Sequence, residues 1–366
     1  ALLESLQQTQ AKKRLLLTAT PVYNHPADLS PLVNLAANKQ ILPEDRGAFN
    51  NAFVEEKEID PGILGRIMGI NPGTEQVLKK DPKLTSAIVK YVDYDPGNGA
   101  VGFPSSTEEV VNVPMSTNQQ NVYDTMLNKA PFWVKWKIKA GLPPNRQELR
   151  PLLSFLTGPR QIANSDYDFV TDKTKIESPK VDSAIGYLRQ ELAKNPNYKA
   201  VVYSNYLSSG LAPYKMQLEK AKIPYGEFSG DVTPAVRNQM VRDYNANKLK
   251  ALLISSAGAE GLDLKGTRLL QILEPHFNRE KEKQIIGRAI RYQSHAALPE
   301  NERNVLIQRY LSQPKGSWLD RLMGKEVVKG TDEYISGIAD KKEQLNRQLV
   351  ELMAEQQQNY ANSVRK

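Results

Sequence analysis

Gln284, Gly287, Arg288 and Arg291 form the pattern QxxGRxxR, carried by a segment from Glu282 to Ile290 that reads as a helix. Arginines three apart share one helical face, and a guanidinium fork is the side chain best matched to charge spreading over a phosphoryl group. In isolation such a pair reads better as a solvated basic helix, so the surroundings matter. Ahead of it, Ala251 to Ile254 is an apolar run without alternation, which suits a strand buried on both faces of a parallel sheet. Ser255, Ser256, Ala257, Gly258, Ala259 and Gly261 follow as a loop of small residues that lets backbone N–H groups approach a phosphate. A second buried strand, Leu269 to Leu273, ends at Glu274-Pro275. Another apolar strand, Lys199 to Tyr203, ends in Ser204-Asn205-Tyr206, small polar groups at the edge of a parallel sheet where ligands bind.

The elements holding these groups need a sizeable core, and 366 residues suffice for two or three domains. Charged residues make up 25% and hydrophobic residues 40%, and no apolar run approaches the roughly 18 residues of a membrane-spanning helix. The stretch ALLESLQQTQAKKR lacks the apolar centre of a secretory signal, so an intracellular protein is expected. The absence of cysteine excludes disulfides and thiolate metal sites. His25, His276 and His295 show no ligand spacing, so no dedicated metal site is expected. A net charge of +8 favours a polyanionic partner, nucleic acid above all.

Along the chain, Leu15 to Leu17 reads as a short strand followed by Thr18 and Thr20 and stopped by Pro21. From Ser30 to about Asp81 the pattern is helical, RGAFNNAFVEEKEI included, with breaks at Pro61-Gly62 and Asn71-Pro72-Gly73. Residues 82 to 90 add another helix. The string YVDYDPGNGAVGFP suggests a hairpin turning at Asp95 to Gly99, then a strand from Val110 to Met115 and a helix capped by Ser116 or Thr117. Between Ala130 and Ser165, Lys135, Lys137 and Lys139 interleave with Trp136 and Ile138, a pattern that could lie along a phosphate backbone. The alternative packs Trp133 and Trp136 inward and leaves the lysines to solvate the surface. Strands at Tyr225 to Phe228 and Asn304 to Tyr310, and a long helix from Thr331, complete the expected elements.

No GxxxxGK[ST] phosphate loop occurs, the nearest string being Met323-Gly324-Lys325-Glu326, and Asp332-Glu333-Tyr334 lies too late to be a DExH acidic box. Phosphoryl transfer needs a phosphate-loop lysine and a magnesium carboxylate. The chain is therefore expected to be an inactive half, completed by residues ahead of Ala1 or by another polypeptide.

The strand-to-loop string LTATP from Leu17 to Pro21, the small-residue loop and QxxGRxxR together resemble superfamily-two helicases. Asn24, Asp28 and Leu29, and the string VPMSTNQQNVYDTM with Pro114, Met115, Ser116, Gln119 and Tyr123, resemble the Swi/Snf-type branch, particularly its phage and large-DNA-virus forms. GLPPNRQEL and GPRQIANS resemble the same branch, where they brace the second lobe, making Arg160 and Gln161 structural. The resemblance implies an α/β fold: the tail of a first RecA-like lobe (1–29), a mainly helical protrusion with a hairpin (30–130), a bracing segment (131–178), a RecA-like parallel-sheet second lobe (179–330) and a bracing helix (331–366). It implies ATP with Mg²⁺ held mainly by the missing first lobe. Arg288 and Arg291 would meet the β- and γ-phosphates, Gln284 and Gly287 would set their helix at the cleft, and Gly261 and Asp263 would lie beside the nucleotide. Ser204, Asn205, Ser256 and Gly258 would grip one nucleic-acid strand, and Thr18 and Thr20 would couple nucleotide state to lobe closure. Ala19, where glycine is usual, and Asp263, where asparagine is usual, depart from the commonest form. The implied partners are double-stranded DNA, the missing first lobe, and RNA polymerase or virion proteins. The expected activity is a DNA-dependent ATPase and duplex translocase of viral transcription or genome handling. A competing expectation is a non-catalytic nucleic-acid-binding scaffold or virion component.

Overall fold

The apolar runs without alternation are the central strands of a parallel sheet, as Ala251–Ile254 illustrates: no residue of the four is more than 1% exposed. The computed structural model describes residues 9, 11, 13–18, 21, 22, 24–95, 101–228, 230, 232–255, 262–316 and 328–364. They fall into two compact units, Ala1–Asn98 with Ala339–Lys366, and Gly99–Ile338.

The first unit contains the helices α1 (Leu29–Ala37) and α2 (Arg46–Phe53), the strand β1 (Val54–Ile59), the short helix α3 (Gly62–Ile67), the strand β2 (Gly73–Leu78) and the helix α4 (Pro82–Tyr91). Its core packs Leu29, Val33, Phe49, Phe53, Leu84 and Ile88 with Leu345, Leu349 and Met353. The sequence VEEKEI is a correction to the expected helix. It pairs antiparallel with β2, from Val54↔Leu78 to Ile59↔Gly73, because cross-strand bonding outweighs the low strand preference of its glutamates. Leu15 to Leu17 is a second correction: no strand forms there, and Leu15 and Leu17 are 83% and 87% exposed. An apolar triplet becomes a strand only where a neighbour completes its ladder.

The second unit runs through β3 (Ser105–Pro114), α5 (Thr117–Asn128), α6 (Phe132–Ala140), α7 (Arg146–Asn164), α8 (Pro179–Lys194), β4 (Ala200–Tyr203), α9 (Ala212–Lys220), β5 (Tyr225–Phe228), α10 (Pro234–Asn245), β6 (Ala251–Ile254), β7 (Leu269–Ile272), α11 (Arg279–Ala289) and β8 (Asn304–Gln313). The helix α12 (Thr331–Val364) gives Thr331–Ile338 to this unit and its remainder to the first. The sheet has the order β3-β8-β7-β4-β6-β5, and its neighbours pair in parallel. Alternate residues of β4 enter two cores. Ala200 and Val202 pack with Val181, Leu188 and Tyr214 of α8 and α9, while Val201 and Tyr203 pack with Tyr244 and Ile285 of α10 and α11. The sheet is thus covered on both faces, and its carboxyl edge is left to carry the loops.

The expected turn at Asp95 to Gly99 lies mostly outside the described residues. Its arms form no hairpin: residues 92–95 carry no strand, and β3 pairs in parallel with β8, Ser105↔Asn304 to Pro114↔Gln313. β3 therefore belongs to the sheet and not to a helical protrusion. Ser116 caps α5 as expected, its Oγ accepting from Gln119 N at 3.1 Å. Ser116→Ala should cost about 1 kcal/mol, read as a lower urea midpoint at unchanged slope.

The basic-aromatic helix α6 also corrects an expectation. Its buried residues are Val134, Lys137 and Ile138, whereas Trp133 and Trp136 are half-buried. Lys137 reaches inward because Glu148, which sits in the capping box at the start of α7, pairs with it out of solvent. No helix of the described residues is long and apolar enough to cross a membrane.

Candidate functional site

Helix α11 is fixed at its amino end by charge. Asn278 Oδ1 accepts from Glu280 N at 3.1 Å, and Glu280 and Glu282 lie in the first turn, where the helix dipole favours anions. Glu282 has no exposed surface and accepts from His276 N at 2.8 Å and Arg279 Nη1 at 2.9 Å, and it also pairs with Arg309 of β8. Ile285 and Ala289 turn into the core, leaving Gln284 and Gly287 exposed and Arg288 half-buried. A Cβ on Gly287 would have no atom of the described residues within 4 Å. Arg288 Nε is buried and has no hydrogen-bond partner among the described residues. Such a donor bears its full desolvation cost until an acceptor arrives.

Arg291 corrects the expected shared helical face. The helix ends at Ala289, and Ile290 is extended (φ −112°, ψ 92°), so Arg291 lies beyond it. Its backbone is held by Ser294, whose N–H and hydroxyl donate to Arg291 O at 3.1 and 2.8 Å. His295, buried next door, places Nε2 2.6 Å from Thr267 O, and burial holds its pKa below the ordinary imidazole range. The Arg291 guanidinium donates to Leu262 O at 3.3 Å and pairs with Asp263 at 3.5 Å. Both partners are well exposed, 41% and 63% by side chain, so the pair is weak and easily exchanged. Asp263 thus lies beside Arg291. Gly261, Ser256, Gly258 and Thr20 lie outside the described residues, and Thr18 is exposed.

At the carboxyl edge of β4, Ser204 and Asn205 converge on Glu274, which follows β7 and which sequence reasoning read only as a strand stop. Glu274 accepts from Ser204 Oγ at 2.8 Å, Asn205 N at 2.5 Å, Asn205 Nδ2 at 3.1 Å and Asn164 Nδ2 at 2.7 Å. Its burial raises its pKa, and these donors and the nearby Lys180 act against that rise. Asn164 in turn accepts from Lys180 Nζ at 2.9 Å, and Lys180 pairs with Asp332 at 2.6 Å, both fully buried. The Ser204 side chain faces this network, leaving Asn205 partly open to solvent. Gly210 is required here, since a Cβ on it would lie 2.0 Å from Ser204 Oγ. Arg160 donates to Pro275 O at 2.8 Å and stacks 5.5 Å from the Tyr206 ring, bracing the same corner. An acidic residue closing a fully buried strand was the one signal that could have found Glu274.

Among the described residues no group of three or more histidines and carboxylates could hold a metal ion. Among the described residues the arrangement offers two guanidinium groups, one with an unsatisfied donor and one on an exchangeable partner. That donor set fits a polyphosphate.

Residues 1–168 match the SNF2-related domain, and residues 183–293 match the helicase conserved C-terminal domain. The chain is 32% identical over 343 residues to protein L538 of Acanthamoeba polyphaga mimivirus, which carries the name of a putative ATP-dependent RNA helicase; the match covers 92% of this chain and 68% of L538. It is 23% identical over 386 residues to nucleoside triphosphatase I of Melanoplus sanguinipes entomopoxvirus, covering 93% of this chain and 55% of the relative. A 64-residue stretch is 47% identical to the termination factor NPH-I homolog of African swine fever virus, 18% of this chain and 9% of that protein. Among solved structures, the Sulfolobus solfataricus SWI2/SNF2 ATPase core in complex with double-stranded DNA is similar at 16% identity and a TM-score of 0.45, covering 94% of this chain and 68% of that one. On the matched domains and the breadth of the mimivirus relative, the chain belongs to the SNF2-related, helicase-like ATPase family with viral members.

Proposed function

We propose that this chain is the carboxyl-terminal half of an ATP-dependent double-stranded DNA translocase, in which Arg288 and Arg291 complete the nucleotide pocket. The observation that carries this reading is the orphaned Nε of Arg288, buried beside the exposed Gly287, with Arg291 on an exchangeable carboxylate nearby. Bound Mg²⁺-ATP, with its metal held mainly by a first lobe, supplies the phosphoryl group that is transferred to water. Arg288 and Arg291 bind the β- and γ-phosphates and neutralise the charge that grows in the transition state. To reach them Arg291 gives up Asp263, which becomes available to the ribose or to a closing partner. Gln284 and Gly287 set the face of α11 at the cleft, and Gly261 lines the nucleotide side of the small-residue loop.

At the other edge, Asn205, Ser256 and the amides near Gly258 hold one strand's phosphates, and Ser204 acts from below through Glu274. Thr18 and Thr20 transmit nucleotide state, so that the grip moves as the lobes open and shut. Backbone holding of this kind is tolerant of sequence and sensitive to salt. A role in viral transcription or genome handling, with RNA polymerase or virion proteins as partners, fits the viral relatives.

The test is nucleic-acid-stimulated ATP hydrolysis by the protein including its first lobe, with duplex DNA and duplex RNA compared. Duplex DNA should stimulate turnover, and a strand-displacement assay should show no unwinding. Absence of hydrolysis under both duplexes would remove this reading in favour of a non-catalytic scaffold.

A further inference from the structure

From Thr125 to Ser165 the sequence holds seven lysines and arginines and a single acidic residue, Glu148, so six of the chain's net +8 charges fall in this stretch. The fold sharpens the imbalance. Glu148 is buried against Lys137, which removes the stretch's one anion from the surface together with one cation. Arg160 is occupied by the Pro275 carbonyl. Lys129, Lys135, Lys139, Arg146 and Arg150 remain at least partly exposed on and around α6 and α7.

The two helices pack on each other through Val134, Ile138, Leu152 and Leu156. Their outward stripes are Phe132, Lys135, Trp136 and Lys139 on α6, and Arg146, Arg150 and Phe155 on α7. Phe132 and Phe155 are 51% and 39% exposed. The cations repeat four residues apart on each helix, about 6 Å between neighbours. Arg146 occupies the first turn of α7 and is exposed. Cations at regular spacing match the repeating charge of a nucleic-acid backbone, and the exposed Phe132 and Phe155 rings beside them add apolar faces for its sugars.

We propose that α6 and α7 form a second nucleic-acid-binding surface, separate from the loops at Asn205 and Gly258, that takes the phosphate backbone. The inference rests on the nucleic-acid reading above but uses none of its residues. It is tested on this chain by measuring duplex DNA affinity against salt for the unaltered protein and for the variant Lys135→Gln, Lys139→Gln, Arg146→Gln, Arg150→Gln. Each phosphate that is no longer neutralised flattens the slope of log K against log salt by about 0.9, so a flattening of roughly 2–4 is expected. Affinity should fall more than tenfold at about 0.1 M salt, with Tm unchanged. Exchanging the same lysines and arginines for each other should keep the slope. An unchanged slope in the glutamine variant overturns this inference and leaves the first reading standing. No duplex binding by the unaltered chain overturns both. Loss of poly-glutamate binding with duplex binding intact assigns the surface to an acidic protein and also overturns it.

Discussion

Arg288→Ala or Arg291→Ala, in protein that hydrolyses ATP, is expected to lower kcat by about 10³-fold or more while leaving the fold intact. A loss of that size corresponds to roughly 4 kcal/mol of transition-state stabilisation, far more than either side chain contributes to the free protein. Arg291 is bound there by an exposed carboxylate at 3.5 Å and a carbonyl at 3.3 Å, interactions of small net worth. Arg288 carries a buried donor without an acceptor, so its removal relieves a cost. Neither change should lower Tm by more than a few degrees. Lysine at either position should restore little, because a point charge cannot reproduce the planar fork. Steady-state hydrolysis together with thermal unfolding separates the two effects. A variant that keeps full turnover removes that arginine from the pocket, and one that loses Tm in parallel makes it structural.

The second large effect lies in the buried network under the β4 edge. Lys180→Ala should destabilise the second unit by about 3–5 kcal/mol, because Asp332 would be left charged and fully buried, with Ser312 N at 2.9 Å as the remaining donor to its Oδ2. The combined change Lys180→Met with Asp332→Leu removes both charges and should recover most of that loss. Urea denaturation of the single and double variants decides the matter. Equal stability of Lys180→Ala and the unaltered chain would mean that Asp332 finds solvent or another cation. The same network seats Asn164 against Glu274, so the single variant should also weaken nucleic-acid binding through Asn205.

The centre of the sheet was legible because Ala200–Tyr203 and Ala251–Ile254 are apolar on both faces, and helix starts such as Thr117 follow visible caps. Two of the failures share a cause in long-range pairing. Lys137 looked like a solvated lysine because its partner Glu148 lies across a turn, and nothing in the local period marks a buried pair. VEEKEI looked helical because its strand depends on β2, which follows only after α3. Arg291 looked helical because Ile290 is neither glycine nor proline, so the exit from α11 carries no local signal. Within the candidate site, the arginines are proposed from their spacing together with the small-residue loop, and the hydrolysis measurement tests them. Glu274 was not, since a carboxylate next to proline reads as a turn until Ser204, Asn205 and Asn164 are seen to converge on it.

The most direct measurement is the structure of this chain together with the first lobe proposed to complete it, bound to a non-hydrolysable ATP analogue and Mg²⁺. Guanidinium nitrogens of Arg288 and Arg291 are expected about 3 Å from β- or γ-phosphate oxygens, with Arg291 released from Asp263 and Leu262 O. An analogue bound elsewhere, with Arg291 still on Asp263 and Arg288 Nε still without an acceptor, would contradict the assignment of both arginines to the nucleotide.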